Sequence, residues 1–145
     1  MKNTQAQTAP VVMVHGMLIG GILILAAVFA GLTAAGVVPM IRHDRDVATT
    51  TLLAEIFGGL QLVILAVAVL VFKPRIPGRT AAQSVQAYWA SQETISRVLP
   101  VWFLCDGAAI LGIVAYGLTG HVIPAAVAGL ALVACILLSP GRIAG

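Results

Sequence analysis

The run VLPVWFLCDGAAILGIVAYGL, residues 98–118, decides the fold. Its only charged side chain is Asp106. As a helix rising ~1.5 Å per residue it is about 32 Å long, close to the ~30 Å hydrocarbon core of a bilayer. A chain in lipid must satisfy its own backbone hydrogen bonds, and a single segment does so only as a helix. Further apolar runs cover residues 11–38, 51–72 and 122–138. The whole chain is 60% hydrophobic and 9% charged, whereas a soluble domain is roughly a quarter charged. The expectation is an all-α polytopic membrane protein with four transmembrane helices. With aromatics at 6% and no alternating ten-residue segments, an outer-membrane barrel is not expected.

Outward from these runs, residues 1–10 form a polar N-terminal tail, and residues 11–145 read as one transmembrane domain. The first run is about twice the length of a signal-peptide core, so it reads as a span rather than a cleaved leader. Pro39 is expected to stop it, and Thr49, Thr50 and Thr51 offer caps for the second span. Two prolines and a glycine in KPRIPGR, residues 73–79, break the chain after that span. Residues 80–97 then read as an amphipathic interfacial helix. Its Tyr88 and Trp89 are expected at headgroup depth, and Pro100 at a bend into the third span. Lys73, Arg75, Arg79 and Arg97 are the other interfacial candidates.

Four crossings put Lys2, Lys73, Arg75, Arg79, Arg97 and Arg142 on one side and only Arg42 and Arg45 on the other. The positive-inside bias then places both termini in the cytoplasm, and a bacterial inner membrane is the simplest location. Eight Lys and Arg residues in all are too few and too dispersed for a nucleic-acid surface. The expected partners are membrane lipid and either further copies of the chain or a larger membrane complex.

The polar residues inside the spans are Asp106, Gln61, Glu55 and His15. An aspartate at a helix centre is disfavoured by about 3 kcal/mol on insertion scales, so Asp106 is expected to face other helices. Gln61, at similar depth, is its expected hydrogen-bonding partner. Glu55 reads as a carboxylate near the start of the second span, where the helix dipole favours negative charge. His15 reads as a hydrogen-bonded residue near a membrane end. Cys105 and Cys135 lie in apolar runs and read as small buried hydrophobes. His15, Cys105, Asp106 and Cys135 share one half of the bilayer but have no metal-ligand spacing, so no metal or other cofactor is expected.

Small residues recur at helical spacing. Gly16, Gly20, Ala27, Gly31 and Ala35 form one stripe in the first span. Ala54 and Gly58 repeat it in the second, and Ala108 and Gly112 in the third. Such stripes let helix backbones approach closely. No phosphate-binding loop, nucleophile elbow or catalytic carboxylate pair accompanies them. The residues therefore read as a non-enzymatic structural or accessory membrane subunit acting through helix packing. The alternative is a proton- or cation-coupled transporter or channel component that uses Asp106. In that reading Asp106→Asn would abolish flux with the fold intact.

The C-terminal half carries ISR at residues 95–97, the pair Asp106-Gly107, YGLTG at residues 116–120 and PGRI at residues 140–143. This pattern resembles that of small uncharacterised bacterial four-helix inner-membrane proteins. In those the acid is usually glutamate, where this chain has Asp106. The resemblance implies four helices in the membrane and no particular activity.

Overall fold

The computed structural model describes residues 9–37 and 46–145, and all its regular elements are helical. Lys2 with most of the polar tail, and Pro39, Arg42, His43, Asp44 and Arg45 of the first loop, lie outside the described residues. Helix α1 is Ala9–Ala34 and α2 is Val47–Ala66. The latter runs on through a π-helical stretch, Val67–Phe72, and a 3-10 turn, Lys73–Arg75. A short α3, Val85–Ala90, precedes the long α4, Gln92–Thr119. Helix α5 is Val122–Leu137, and α6 is a single turn, Pro140–Ile143.

Three of these helices, Pro10–Ala34, Val47–Arg75 and Gln92–Thr119, are long and apolar enough to cross a membrane. The fourth, α5, is equally apolar but has 16 residues, about 24 Å at the helical rise. Large apolar side chains line the outside of the bundle, among them Ile24, Leu52, Val63, Leu70, Val122 and Leu130, each about half exposed or more. Soluble monomers rarely expose contiguous apolar surface on this scale, whereas lipid covers it without penalty. The fold is that of a multi-pass helical membrane protein.

Helix α4 is the centre of the bundle, and α1, α2 and α5 all pack on it. The tight turn Thr119-Gly120-His121 sends α5 back along α4. Gly120 makes this turn in the left-handed region at φ 75°, where glycine lacks the Cβ penalty. Thr119 Oγ1 donates to Ala115 O and accepts from the His121 N–H. The up-and-down path gathers the start of α1, the end of α2, the start of α4 and the end of α5 at one end. That end carries Lys73, Arg75, Arg79, Arg97 and Arg142, all exposed, and is called the basic end below.

Several element ends differ from the sequence expectation, each for a local reason. Helix α1 stops at Ala34, before Pro39, because Gly36 adopts φ 79° and its N–H bonds to Thr33 O. A left-handed glycine just past the last turn is a common helix terminator. At α2 the cap is Asp46, whose carboxylate accepts from the Thr49 N–H at 3.2 Å. The Thr50 and Thr51 hydroxyls donate back to Val47 O instead of capping. The end of α2 widens into a π-turn, in which the Lys73 N–H reaches Ala68 O. Pro74 follows and has no N–H to continue the ladder.

The interfacial region departs furthest. A continuous amphipathic helix over residues 80–97 is not formed. The break falls at Ser91, whose extended backbone (ψ 121°) ends α3 and serves as the N-cap of α4. Helix α4 then runs through Pro100. Breaking at Ser91 folds α3 back on the bundle. Tyr88 and Trp89 are consequently 1% and 3% exposed, packed among protein side chains rather than facing headgroups.

Candidate functional site

The polar side chains are distributed along the bundle by depth. At the basic end an aromatic cluster joins α1, α3 and α4. The Tyr88 and Trp89 rings meet edge to face at 5.0 Å, Trp89 and Trp102 lie 6.2 Å apart, and His15 meets Trp102 at 4.8 Å. Two of these rings cap the end of α5. His15 Nε2 donates to Cys135 O at 2.9 Å, and Trp102 Nε1 donates to Leu138 O at 2.8 Å. The last carbonyls of a helix lack intrahelical partners, and inside a membrane water does not supply them. Side chains from two other helices do so here. Because a carbonyl only accepts, this contact requires the tautomer of His15 with its proton on Nε2.

Tyr88 makes a third such link, donating from its hydroxyl to Pro77 O at 2.7 Å. Burial raises its pKa above the ordinary value of about 10. The folded form therefore holds its proton to higher pH than the unfolded chain. This contribution to stability is complete below pH ~10 and is lost as pH rises through the folded pKa. In thermal unfolding in detergent between pH 8 and 11, the wild type should lose stability more steeply than Tyr88→Phe. At pH 8 the variant should be weaker by about 0.5–1.5 kcal/mol, the worth of one hydrogen bond.

At mid-bundle the expected Asp106–Gln61 pair is not formed. Gln61 is completely buried and donates from Nε2 to Ala108 O on α4 at 3.2 Å, while its Oε1 has no partner among the described residues. Ala108 and Asp106 are two residues apart, about 200° around the helix. The face of α4 that receives Gln61 is therefore not the one that carries Asp106. Asp106 is half-buried, and its carboxylate makes no hydrogen bond or ion pair with the described residues. Its electrostatic neighbour is Cys135. Gln61 is thus an anchor between α2 and the backbone of α4, and Asp106 sits at the margin of the bundle.

Glu55 is exposed on the outer face of α2. Because α2 begins at Val47, Glu55 lies beyond the first turn, and Asp46 holds the cap. At that end the inward contact is instead Thr51 Oγ1 with His121 Nε2, at 3.3 Å. Asp106, Gln61, Glu55 and His15 therefore do not form one polar track, and none of them lines the bundle's cavities of about 590, 520 and 200 Å³. Cys105 and Cys135 are free, buried and within electrostatic reach of each other. Among the described residues no three His, Cys, Asp or Glu side chains are arranged to hold a metal ion.

The small-residue stripes divide into two kinds. Those of α2 and α4 are filled from within the chain. A Cβ on Gly58 would lie 3.0 Å from Ile123 Cγ2. One on Gly112 would lie 2.2 Å from Gln61 Nε2, 2.5 Å from Pro124 O and 2.7 Å from Ala128 Cβ. Ala108 is also fully buried. The stripe of α1 is different. Gly16, Ala27, Gly31 and Ala35 are exposed, and a Cβ on Gly16, Gly20 or Gly31 would meet nothing within 4 Å. Helix α1 turns His15 and Ile22 inward and leaves its glycine stripe facing away from the bundle. Gly117, absent from the sequence expectation, is a true contact glycine. Phe29 of α1 fills the place that a Cβ on Gly117 would take.

What these helices define is a class, the multi-pass helical membrane proteins. No family model, curated protein sequence or solved structure matches the chain.

Proposed function

We propose that this protein is a non-enzymatic, four-span subunit of a membrane assembly and acts through helix packing. In this reading α5 is the fourth crossing, made short by local thinning of the bilayer or by snorkelling of Arg142. The observation that carries the proposal is the open glycine stripe of α1. The equivalent small residues of α2 and α4 have partners within the chain, whereas a Cβ on Gly16, Gly20 or Gly31 of α1 would meet none of the described residues within 4 Å. In lipid, helix association rests on close backbone approach at small residues. A stripe turned outward fits a helix of another chain, either a further copy or a different subunit. Glu55 on the outside of α2 and the marginal Asp106 add polar groups that a neighbouring subunit could satisfy. A bacterial inner membrane with both termini cytoplasmic fits the basic end, and so does the resemblance to small bacterial four-helix proteins.

Replacing Gly16 and Gly20 with leucine tests the proposal. Both positions have open space among the described residues, so the monomer should be at least as helical and as stable as wild type, with a gain of up to about 1 kcal/mol per site from helix propensity. The assembly should dissociate, seen as a shift to smaller size on gel filtration in mild detergent. Unchanged size in the double variant would count against the role of α1.

A further inference from the structure

A groove of about 520 Å³ opens at the basic end between the end of α2, the loop Ile76-Pro77-Gly78, the end of α5 and α6. Its floor is apolar, built by Val69, Ala134, Leu137, Leu138 and Ile143. Two cations stand at its edges, Lys73 from the α2 side and Arg142 from α6. Both are exposed, and neither side chain makes an ion pair or hydrogen bond with the described residues. No carboxylate lines the groove.

The walls are held independently of any occupant. Tyr88 ties down Pro77 O. Arg79 donates from Nε to Ala144 O at 2.6 Å and from Nη1 to Gln83 O at 2.9 Å, joining the loop to the C-terminal segment. Arg79 is thus spent on the wall, while Lys73 and Arg142 are left without counter-ions. Arg75 stands just outside, over the Phe72 ring at 5.6 Å.

We infer that this groove binds one anionic phospholipid, its phosphate between Lys73 and Arg142 and an acyl chain along Val69, Ala134 and Leu137. The occupant follows from charge and position. Two cationic side chains without an ion pair among the described residues, one from the end of α2 and one from α6, match a phosphodiester, and the apolar lining beside them matches the chain that a lipid carries and a free phosphate lacks. Because the groove lies at the end of membrane-crossing helices, headgroup and tail reach it from the bilayer itself. A zwitterionic lipid carries its own cation beside the phosphate and gains less from the pair. Basic residues at a membrane surface attract anionic lipid, and the attraction grows with each of them. Two cations acting on one headgroup should give a preference of tenfold or more.

The test is native mass spectrometry of the full chain released from micelles with increasing phosphatidylglycerol or phosphatidylcholine. Wild type should retain one phosphatidylglycerol in preference to phosphatidylcholine. The pair Lys73→Gln and Arg142→Gln should reduce that preference about tenfold, while Arg97→Gln, a cation at the same end outside the groove, should not. Leu137→Trp fills the groove with both charges in place and should lower retention of both lipids. If the charge pair keeps the wild-type preference, or Arg97→Gln loses as much, attraction is diffuse and the site does not exist. Unchanged retention in Leu137→Trp would overturn the acyl-chain placement. None of these outcomes depends on the glycine stripe of α1, which lies on a different face.

Discussion

Gly112→Val should separate α5 from α4 and abolish the packed fold. Even the first carbon of the new side chain would lie 2.2 Å from Gln61 Nε2 and 2.5 Å from Pro124 O. The glutamine could turn aside, but only by giving up its bond to Ala108 O while already fully buried with Oε1 unpartnered. The Pro124 carbonyl belongs to a helix backbone and yields only if α5 moves as a body. Overpacking a core ordinarily destabilises by 1–3 kcal/mol, occasionally more. Here a rigid backbone atom, a buried amide and the Ala128 methyl group oppose one side chain, so about 3 kcal/mol or more is expected. Gly112→Ala should do less, about 1–3 kcal/mol. Titration into a denaturing detergent, followed by circular dichroism and tryptophan fluorescence, measures both. A wild-type midpoint for Gly112→Val would mean that α4 and α5 are not in this register.

Trp102→Ala should be comparably damaging by the opposite mechanism. Trp102 is 1% exposed and among the largest fully buried side chains. It touches His15 and Trp89 and satisfies the Leu138 carbonyl. Truncating a buried tryptophan costs about 3–5 kcal/mol through lost contacts and the cavity left behind. The unpaired carbonyl adds about 1–3 kcal/mol. Trp102→Phe should restore most of the packing and none of the hydrogen bond, so its midpoint should fall between. If alanine and phenylalanine gave equal losses, the hydrogen bond would dominate. If phenylalanine matched wild type, the capping of α5 would be negligible.

The helices themselves were legible because lipid imposes a simple rule. Long uncharged runs must be helical, and their ends follow from charge and turn residues. The KPRIPGR break marked the end of α2, and the gap between the runs 98–118 and 122–138 holds the Gly120 turn. Gly36 could have been read as the α1 terminator, since a glycine beyond small residues carries that signal as strongly as the later Pro39. Ser91 was not legible. A serine between polar neighbours suits an exposed helical position as well as a break, and only packing decides. The burial of Tyr88 and Trp89 was not legible for the same reason, because a half-polar segment beside a membrane can turn its apolar side to lipid or to protein. The sequence marks Asp106 as a residue that needs an explanation but leaves its angular position open. A shift of two residues carries it from the Gln61 face to the margin. The α1 stripe was visible as a packing surface, and its direction was not, since the rest of the chain determines which face turns inward.

That direction is the centre of the account, and native mass spectrometry of the protein extracted from its own membrane in mild detergent tests it most directly. A defined assembly is expected, with fixed copy number or a stoichiometric partner, that the paired Gly16→Leu and Gly20→Leu changes dissolve. A bare monomer, with α1 carrying only lipid, would contradict it. The Asp106 transport reading would then be the one to examine, by proton flux with and without Asp106→Asn.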